Sequence, residues 1–356
     1  MIFLFLAYAL LCLWKVQLKP TPGCGYIKDY MSVDKTMSIK GIFIIMVFFS
    51  HFHSYVTFTA PMDIAYLKVF KLIGQCMVTL FMFYSGYGVM ESIRKKGISY
   101  VKKIPLTRVG GTYFRFGIAI VIFAVVQLII GNTYPLKQYL LSFTGWDSIG
   151  NSNWYIFTVV VAYAVTYIAF LIGRDKGKYF VSASLLLIGI AAYIFVLRYF
   201  NIKQVYWYDT IICYGCGVWY SLLREPVEKL INKNIFVYLV CLAVSVAGTL
   251  FFMKTQGSSF IHRELCMLFF TAFVVILSMH VSFHNKVLMW CGQNLFGLYI
   301  LQRIPMIVFK RIGLADFNIY LYFVVCLVVT VIIAWAFEKY VGKLWKMITS
   351  PRKKLK

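Results

Sequence analysis

The chain has 356 residues, of which 61% are hydrophobic and 13% charged, and its mean hydropathy is +0.79. That balance excludes an ordinary water-soluble globule, in which about a quarter of the residues carry charge, and it predicts an all-α polytopic membrane helix bundle. The net charge of +24 has a simpler cause than nucleic-acid binding, because the basic residues gather in short connections between apolar runs, as cytoplasmic retention requires; no nucleic-acid partner is expected.

In chain order, apolar runs of about 17–25 residues, the length that crosses a bilayer core of about 30 Å, predict eleven transmembrane helices near 1–14, 39–58, 73–91, 113–131, 153–172, 179–198, 209–223, 235–253, 264–281, 291–309 and 318–338. The opening MIFLFLAYALLCLW has no basic residue ahead of it and no small-residue cleavage site, so it is expected to remain as a helix rather than leave as a signal peptide. The alternate connections 15–40, 92–115, 173–178, 224–233, 282–290 and 339–356 hold 26 of the 36 lysines and arginines. They are therefore expected on the cytoplasmic side, with the N-terminus outside and the C-terminus inside. This divides the chain into an extra N-terminal helix and loop (1–38), a membrane domain (39–338) and a basic cytoplasmic tail (339–356). Of the nine cysteines, most lie inside apolar runs, where Cys is a small hydrophobe. Cys213 and Cys216 have CxxC spacing but no second ligand pair, so neither a metal nor a disulfide framework is expected.

The stretch SIKGIFIIMVFFSHFHSY, Ser38 to Tyr55, places an ionisable imidazole inside an apolar segment. Such residues are costly in membrane helices and are read first as functional, although an imidazole bonded between helices would explain it without catalysis. Lys40 and His51 are eleven steps of 100° apart, hence within about 20° of one face, with a rise of roughly 16 Å. Lys40 is then expected at the cytoplasmic rim and His51 near the middle of the bilayer, an arrangement suited to a long ligand with an anionic end such as acyl-coenzyme A. His53 lies about 200° from His51 and faces elsewhere. Arg108 and Arg115, seven residues apart, also come within about 20° of alignment on a helix. Their planar guanidinium groups suit phosphate oxygens, which makes them, with Lys103, the candidate coenzyme A contacts.

Lys40-x10-His51 resembles the Arg/Lys-x10-His signature of the acyltransferase family 3, integral membrane proteins that move acyl groups onto glycans and other envelope molecules. Leu80-Phe81-Met82-Phe83-Tyr84-Ser85-Gly86-Tyr87 is similar to that family's aromatic run ending in Ser-Gly-Phe. Asn153-Trp154-Tyr155-Ile156-Phe157 is similar to its Trp-Phe-Leu-type helix start, and Gly292 through Gln302 to its late helix. The resemblance spans roughly 36–340 and departs in two places: Gln302 stands where many relatives have a second histidine, and Tyr87 replaces phenylalanine. It implies a ten-helix core, so that helix 1–14 is an addition.

The implied chemistry is transfer of an acyl group, acetyl in many members, from cytosolic acyl-coenzyme A to a hydroxyl of a cell-envelope glycan or related acceptor, in a bacterial plasma membrane. His51 would act as general base on the acceptor hydroxyl or as a covalent nucleophile. Ser85 and Gln302 would orient the imidazole or donate to the oxyanion; close helix packing also explains Ser85-Gly86. Asn153, Trp154 and Tyr155 are the candidate acceptor contacts, with membrane-interface anchoring as the competing explanation. Arg303 is read as snorkelling or lining a polar cavity. A secondary transporter or glycan flippase also uses a midplane ionisable residue, but no repeat and no pair of half-helices supports it, and a structural scaffold leaves the buried histidine unexplained.

Overall fold

Helices begin and end where local chemistry dictates, and that departs from the edges of the apolar runs. The computed structural model describes residues 1–19, 25–173 and 179–349; most of the predicted connection 173–178 and the last seven positions of the predicted tail lie outside them. In chain order the elements are α1 (Ile2–Leu13), β1 (Val16–Leu18), α2 (Val33–Phe52), α3 (Pro61–Ile73), α4 (Cys76–Lys96), α5 (Ile98–Val101), α6 (Gly111–Ile129), α7 (Leu136–Phe143), α8 (Trp154–Ile172) and α9 (Tyr179–Tyr199). They continue with α10 (Ile211–Ile231), α11 (Ile235–Thr255), α12 (Phe260–Ser278), β2 (Val281–Phe283), α13 (Lys286–Gln293), α14 (Leu295–Leu301), α15 (Arg303–Arg311), α16 (Leu314–Phe317) and α17 (Ile319–Thr349).

The boundaries of α2 show the local causes. Ser32 Oγ accepts from the Lys35 N–H at 3.4 Å, and Asp34 sits in the first turn, a capping residue and an anion at the positive helix end. The helix therefore starts at Val33 rather than near 39, and it stops at Phe52, where His53–Tyr55 tighten into a 3₁₀ turn. His51 thus occupies the last turn of α2. The predicted single helix at 291–309 is corrected to α13, α14 and α15. Pro305 has no N–H for the Leu301 carbonyl and its ring crowds that carbonyl, which places a break at Gln302. Conversely, α17 runs 31 residues to Thr349, through most of what the sequence assigns to a tail.

Among the described residues, seven helical stretches are long and apolar enough to cross a membrane: 61–96, 98–129, 154–172, 179–199, 235–255, 260–278 and 319–349. The predicted helices near 39–58 and 209–223 correspond to α2 and α10, which have comparable length (20 and 21 residues) but carry charge inside it, while α1 has only 12 residues. Of the eleven predicted helices, seven therefore have counterparts that meet the length and hydropathy of a membrane span among the described residues.

The helices gather into two compact units. The first comprises 1–47, 58–104 and 161–293. In it α4 and α10 cross with Gly86 against the Tyr214 carbonyl and Gly217 against the Phe83 carbonyl, so a Cβ at either would overlap backbone. Gly41 and Gly292 let α2 and α13 meet in the same way, at Leu288 and Met37. β1 and β2 form an antiparallel ribbon pairing Val16 with Phe283. The second unit comprises 48–57, 105–160 and 294–356. Its aromatic core packs Phe49 against Phe323 and Phe52 against Tyr322 as tilted pairs with ring centroids 4.7 and 4.9 Å apart, and the Tyr322 hydroxyl donates to the Met306 carbonyl at 2.6 Å. Glu338 on α17 accepts from the Gly297 N–H and from Arg115 Nη1, both at 2.9 Å, fastening α14 and α6 to α17.

Candidate active site

Packing of Phe49 and Phe52 against α17 fixes the last turn of α2, and with it His51. The imidazole Nδ1 is buried and makes no hydrogen bond. The Tyr299 ring lies 6.1 Å from the imidazole, the Tyr155 ring 5.4 Å from Tyr299, and the Trp154 ring 5.9 Å from Tyr155. The Arg303 guanidinium acts electrostatically on His51, Tyr55 and Tyr299. Ser152 approaches Tyr299, although neither hydroxyl reaches hydrogen-bonding geometry.

This neighbourhood of the second unit holds His51 Nδ1, Ser152 Oγ, Tyr299 Oη and Arg303 Nε, and their chain neighbours add Asn151 Nδ2 and Gln302 Oε1, all buried and all without a hydrogen-bond partner. Leaving a buried donor or acceptor unpaired costs about 1–3 kcal/mol, and folded proteins leave few of them. Several together mark a place where substrate atoms or solvent complete the bonding. The set contains a base, two hydroxyls, two amides and a guanidinium, a combination able to hold a proton in transit and to donate to a developing oxyanion.

The structure brings some sequence-predicted residues to this place and not others. Gln302 is fully buried at the break between α14 and α15, and its Nε2 donates to the Tyr299 carbonyl at 3.0 Å. Tyr155 is buried beside Tyr299 and Trp154 opens α8, whereas Asn153 Nδ2 donates to the Gly145 carbonyl at 3.1 Å, holding the preceding loop. Arg115 is engaged by Glu338. Arg108 lies in a π-type turn, Pro105–Gly110, so its register with Arg115 is not that of a regular α-helix. Lys103 is exposed after α5.

Lys40 and Ser85 belong to the first unit. Lys40 Nζ lies over the Tyr84 ring, 5.6 Å from its centroid, and Ser85 Oγ shares a 2.8 Å hydrogen bond with the Tyr163 hydroxyl. Because α2 is unbroken from Val33 to Phe52, it carries Lys40 and His51 on one continuous helix. Tyr87 uses the hydroxyl that phenylalanine would lack, accepting from Arg224 Nη1 at 2.9 Å.

Sequence reasoning assigned no role to Tyr299, Tyr55 or Ser152. With 26 tyrosines in the chain, no pattern distinguishes Tyr299 or Tyr55 from packing aromatics. Arg303 did carry a signal, a guanidinium beside an amide within an apolar run. Comparison with protein families matches the acyltransferase domain to residues 38–339. No curated protein and no solved structure matches.

Proposed function

The chain belongs to the acyltransferase family 3, and from that premise we propose that this multi-pass membrane acyltransferase moves an acyl group, acetyl in its simplest form, from acyl-coenzyme A to a hydroxyl of an envelope glycan. The observation that carries the proposal is the cluster of unpartnered polar atoms around His51. In the reaction His51 takes the proton of the acceptor hydroxyl as that oxygen forms a bond to the thioester carbonyl carbon. The negative charge gathering on the carbonyl oxygen is met by donors chosen from Arg303, Tyr299 and Gln302. When the tetrahedral intermediate collapses, the carbon–sulfur bond breaks and the thiolate recovers the proton from His51. Ester and thiol are the products, with no net proton gained or lost.

The donor enters from the cytosolic side, where the basic connections are expected, and Lys40, eleven residues before His51 on the same helix, is its proposed phosphate contact. Arg115 is already engaged by Glu338 and is assigned to the fold. Ser85 is held by its bond to Tyr163 within the first unit, and Trp154 and Tyr155 supply the aromatic surface for the acceptor sugar.

The test is thiol release and acyl transfer by purified protein in lipid. His51→Ala should lower transfer by about 10²–10⁴-fold, the usual worth of a positioned base, with His53→Ala near wild type. Transfer within tenfold of wild type in His51→Ala refutes the assignment.

A further inference from the structure

The first unit contains an apolar groove that the proposed reaction does not use. It encloses about 480 Å³ between α2, α11 and α12, walled by Ile39, Phe43 and Met46 on α2, Leu250 on α11, Val274 on α12 and Phe283 on β2. Thr249, which also lines it, donates its hydroxyl to the Ser245 carbonyl of its own helix at 2.7 Å, so the wall offers a ligand no hydrogen bond from that side chain. Leu250 is 56% exposed, so the groove is open along the α11 wall, and α11 is long and apolar enough to cross a membrane.

Three lysines lie beside one end of the groove, outside its apolar lining. On α2 the lining residues Ile39, Phe43 and Met46 continue a stripe of three- and four-residue steps that begins at Lys35. Lys35 Nζ donates to Ser282 Oγ at 2.8 Å, and Ser282 precedes the lining residue Phe283 on β2, its side chain on the other face of the strand. The ribbon pairs Val16 with Phe283, which brings Lys15, the neighbour of Val16, to the same end. Lys15 lies over the exposed Trp14 ring at 5.3 Å, and tryptophan beside a basic residue at the end of an apolar helix is an interfacial anchor. Lys286 follows three residues after Phe283 and is exposed. Asp34, the acid beside Lys35, points about 100° away around the helix.

We infer that the groove binds one acyl chain of an anionic phospholipid, with the phosphate at the Lys15, Lys35 and Lys286 end. From Lys35 to Met46 the helix rises roughly 16 Å at 1.5 Å per residue, comparable with one leaflet of a core about 30 Å thick. The groove volume of about 480 Å³ is ample for an extended alkyl segment, since an apolar cavity of about 150 Å³ already holds a benzene ring. Chain depth, volume and the sign of the charged end select the same occupant.

Native mass spectrometry of the full chain released from nanodiscs of equal phosphatidylglycerol and phosphatidylcholine tests this. One phosphatidylglycerol should remain bound, and each of Lys15→Ala, Lys35→Ala and Lys286→Ala should lower its preference over phosphatidylcholine by about fivefold. Val246 on α11 also lines the groove, and Val246→Trp, which fills it, should lower retained lipid at least tenfold without changing helical content. Wild-type protein released bare, or holding both lipids equally, overturns the inference whether or not Val246→Trp folds. So does displacement of the lipid by stoichiometric long-chain acyl-coenzyme A, which would make the groove a donor site.

Discussion

Removing the Glu338 carboxylate should loosen the second unit without touching the donor. Glu338→Ala deletes two bonds at once, to Arg115 Nη1 and to the Gly297 N–H, each 2.9 Å long. The Glu338 and Arg115 side chains are 14% and 32% exposed, between the surface regime, where a pair is worth about 0–1 kcal/mol, and the buried one, where losing a partner costs about 3–5 kcal/mol. About 2 kcal/mol is a fair value for the pair, and the stranded Gly297 N–H adds about 1–2 kcal/mol. The sum, about 3–4 kcal/mol, should lower the melting temperature by on the order of 10 °C. Glu338→Gln keeps an acceptor for Gly297 and should lose about half as much; Arg115→Ala should resemble it. The assay is thermal unfolding in detergent, with donor KM measured on the same preparations. A Glu338→Ala protein that melts with wild type, or an Arg115→Ala protein whose melting is unchanged while donor KM rises tenfold, refutes the reasoning and returns Arg115 to the phosphate site.

Gly86→Ala should cost about 3 kcal/mol by overpacking the α4–α10 crossing and reduce monodisperse yield, whereas Gly88→Ala, with no neighbour within 4 Å of a Cβ, should gain up to about 1 kcal/mol in helix propensity; equal yields would contradict the crossing. Pro305→Ala should let α14 and α15 join, slow amide exchange at 301–305 and turn Gln302 and Arg303 away from His51, lowering transfer about tenfold. Slowed exchange with full activity would show that the break serves no catalytic purpose. A reporter fused after Lys356 should read cytoplasmic and a cysteine at Lys137→Cys should label from outside; the reverse pattern would remove Lys40 from the donor side.

What the sequence by itself determined was the class of the molecule and the placing of Lys40 and His51 on one helix. A chain that is 61% hydrophobic must satisfy its backbone in helices if it is to sit in lipid, and the eleven-step spacing of Lys40 and His51 is a property of one helix, independent of packing. Hydropathy could not place the ends of that helix. Ser32 and Asp34 begin α2 through polar capping, which an apolar count ignores, and its end at Phe52 moves His51 from the predicted mid-helix position to the last turn. Pro305 was visible in the sequence, yet only the packed chain shows that it divides 291–309 and leaves Gln302 at the break. The partners of His51 were the least legible part. Tyr299, Ser152 and Arg303 are far from it in the chain, and their polar atoms acquire meaning only once folding has buried them together without partners. Arg115 illustrates the same limit from the other side, because a guanidinium suited to phosphate is equally suited to a carboxylate. Only the fold shows that Glu338 comes within 2.9 Å of Arg115, a partner 223 residues away in the chain that the spacing with Arg108 could not suggest.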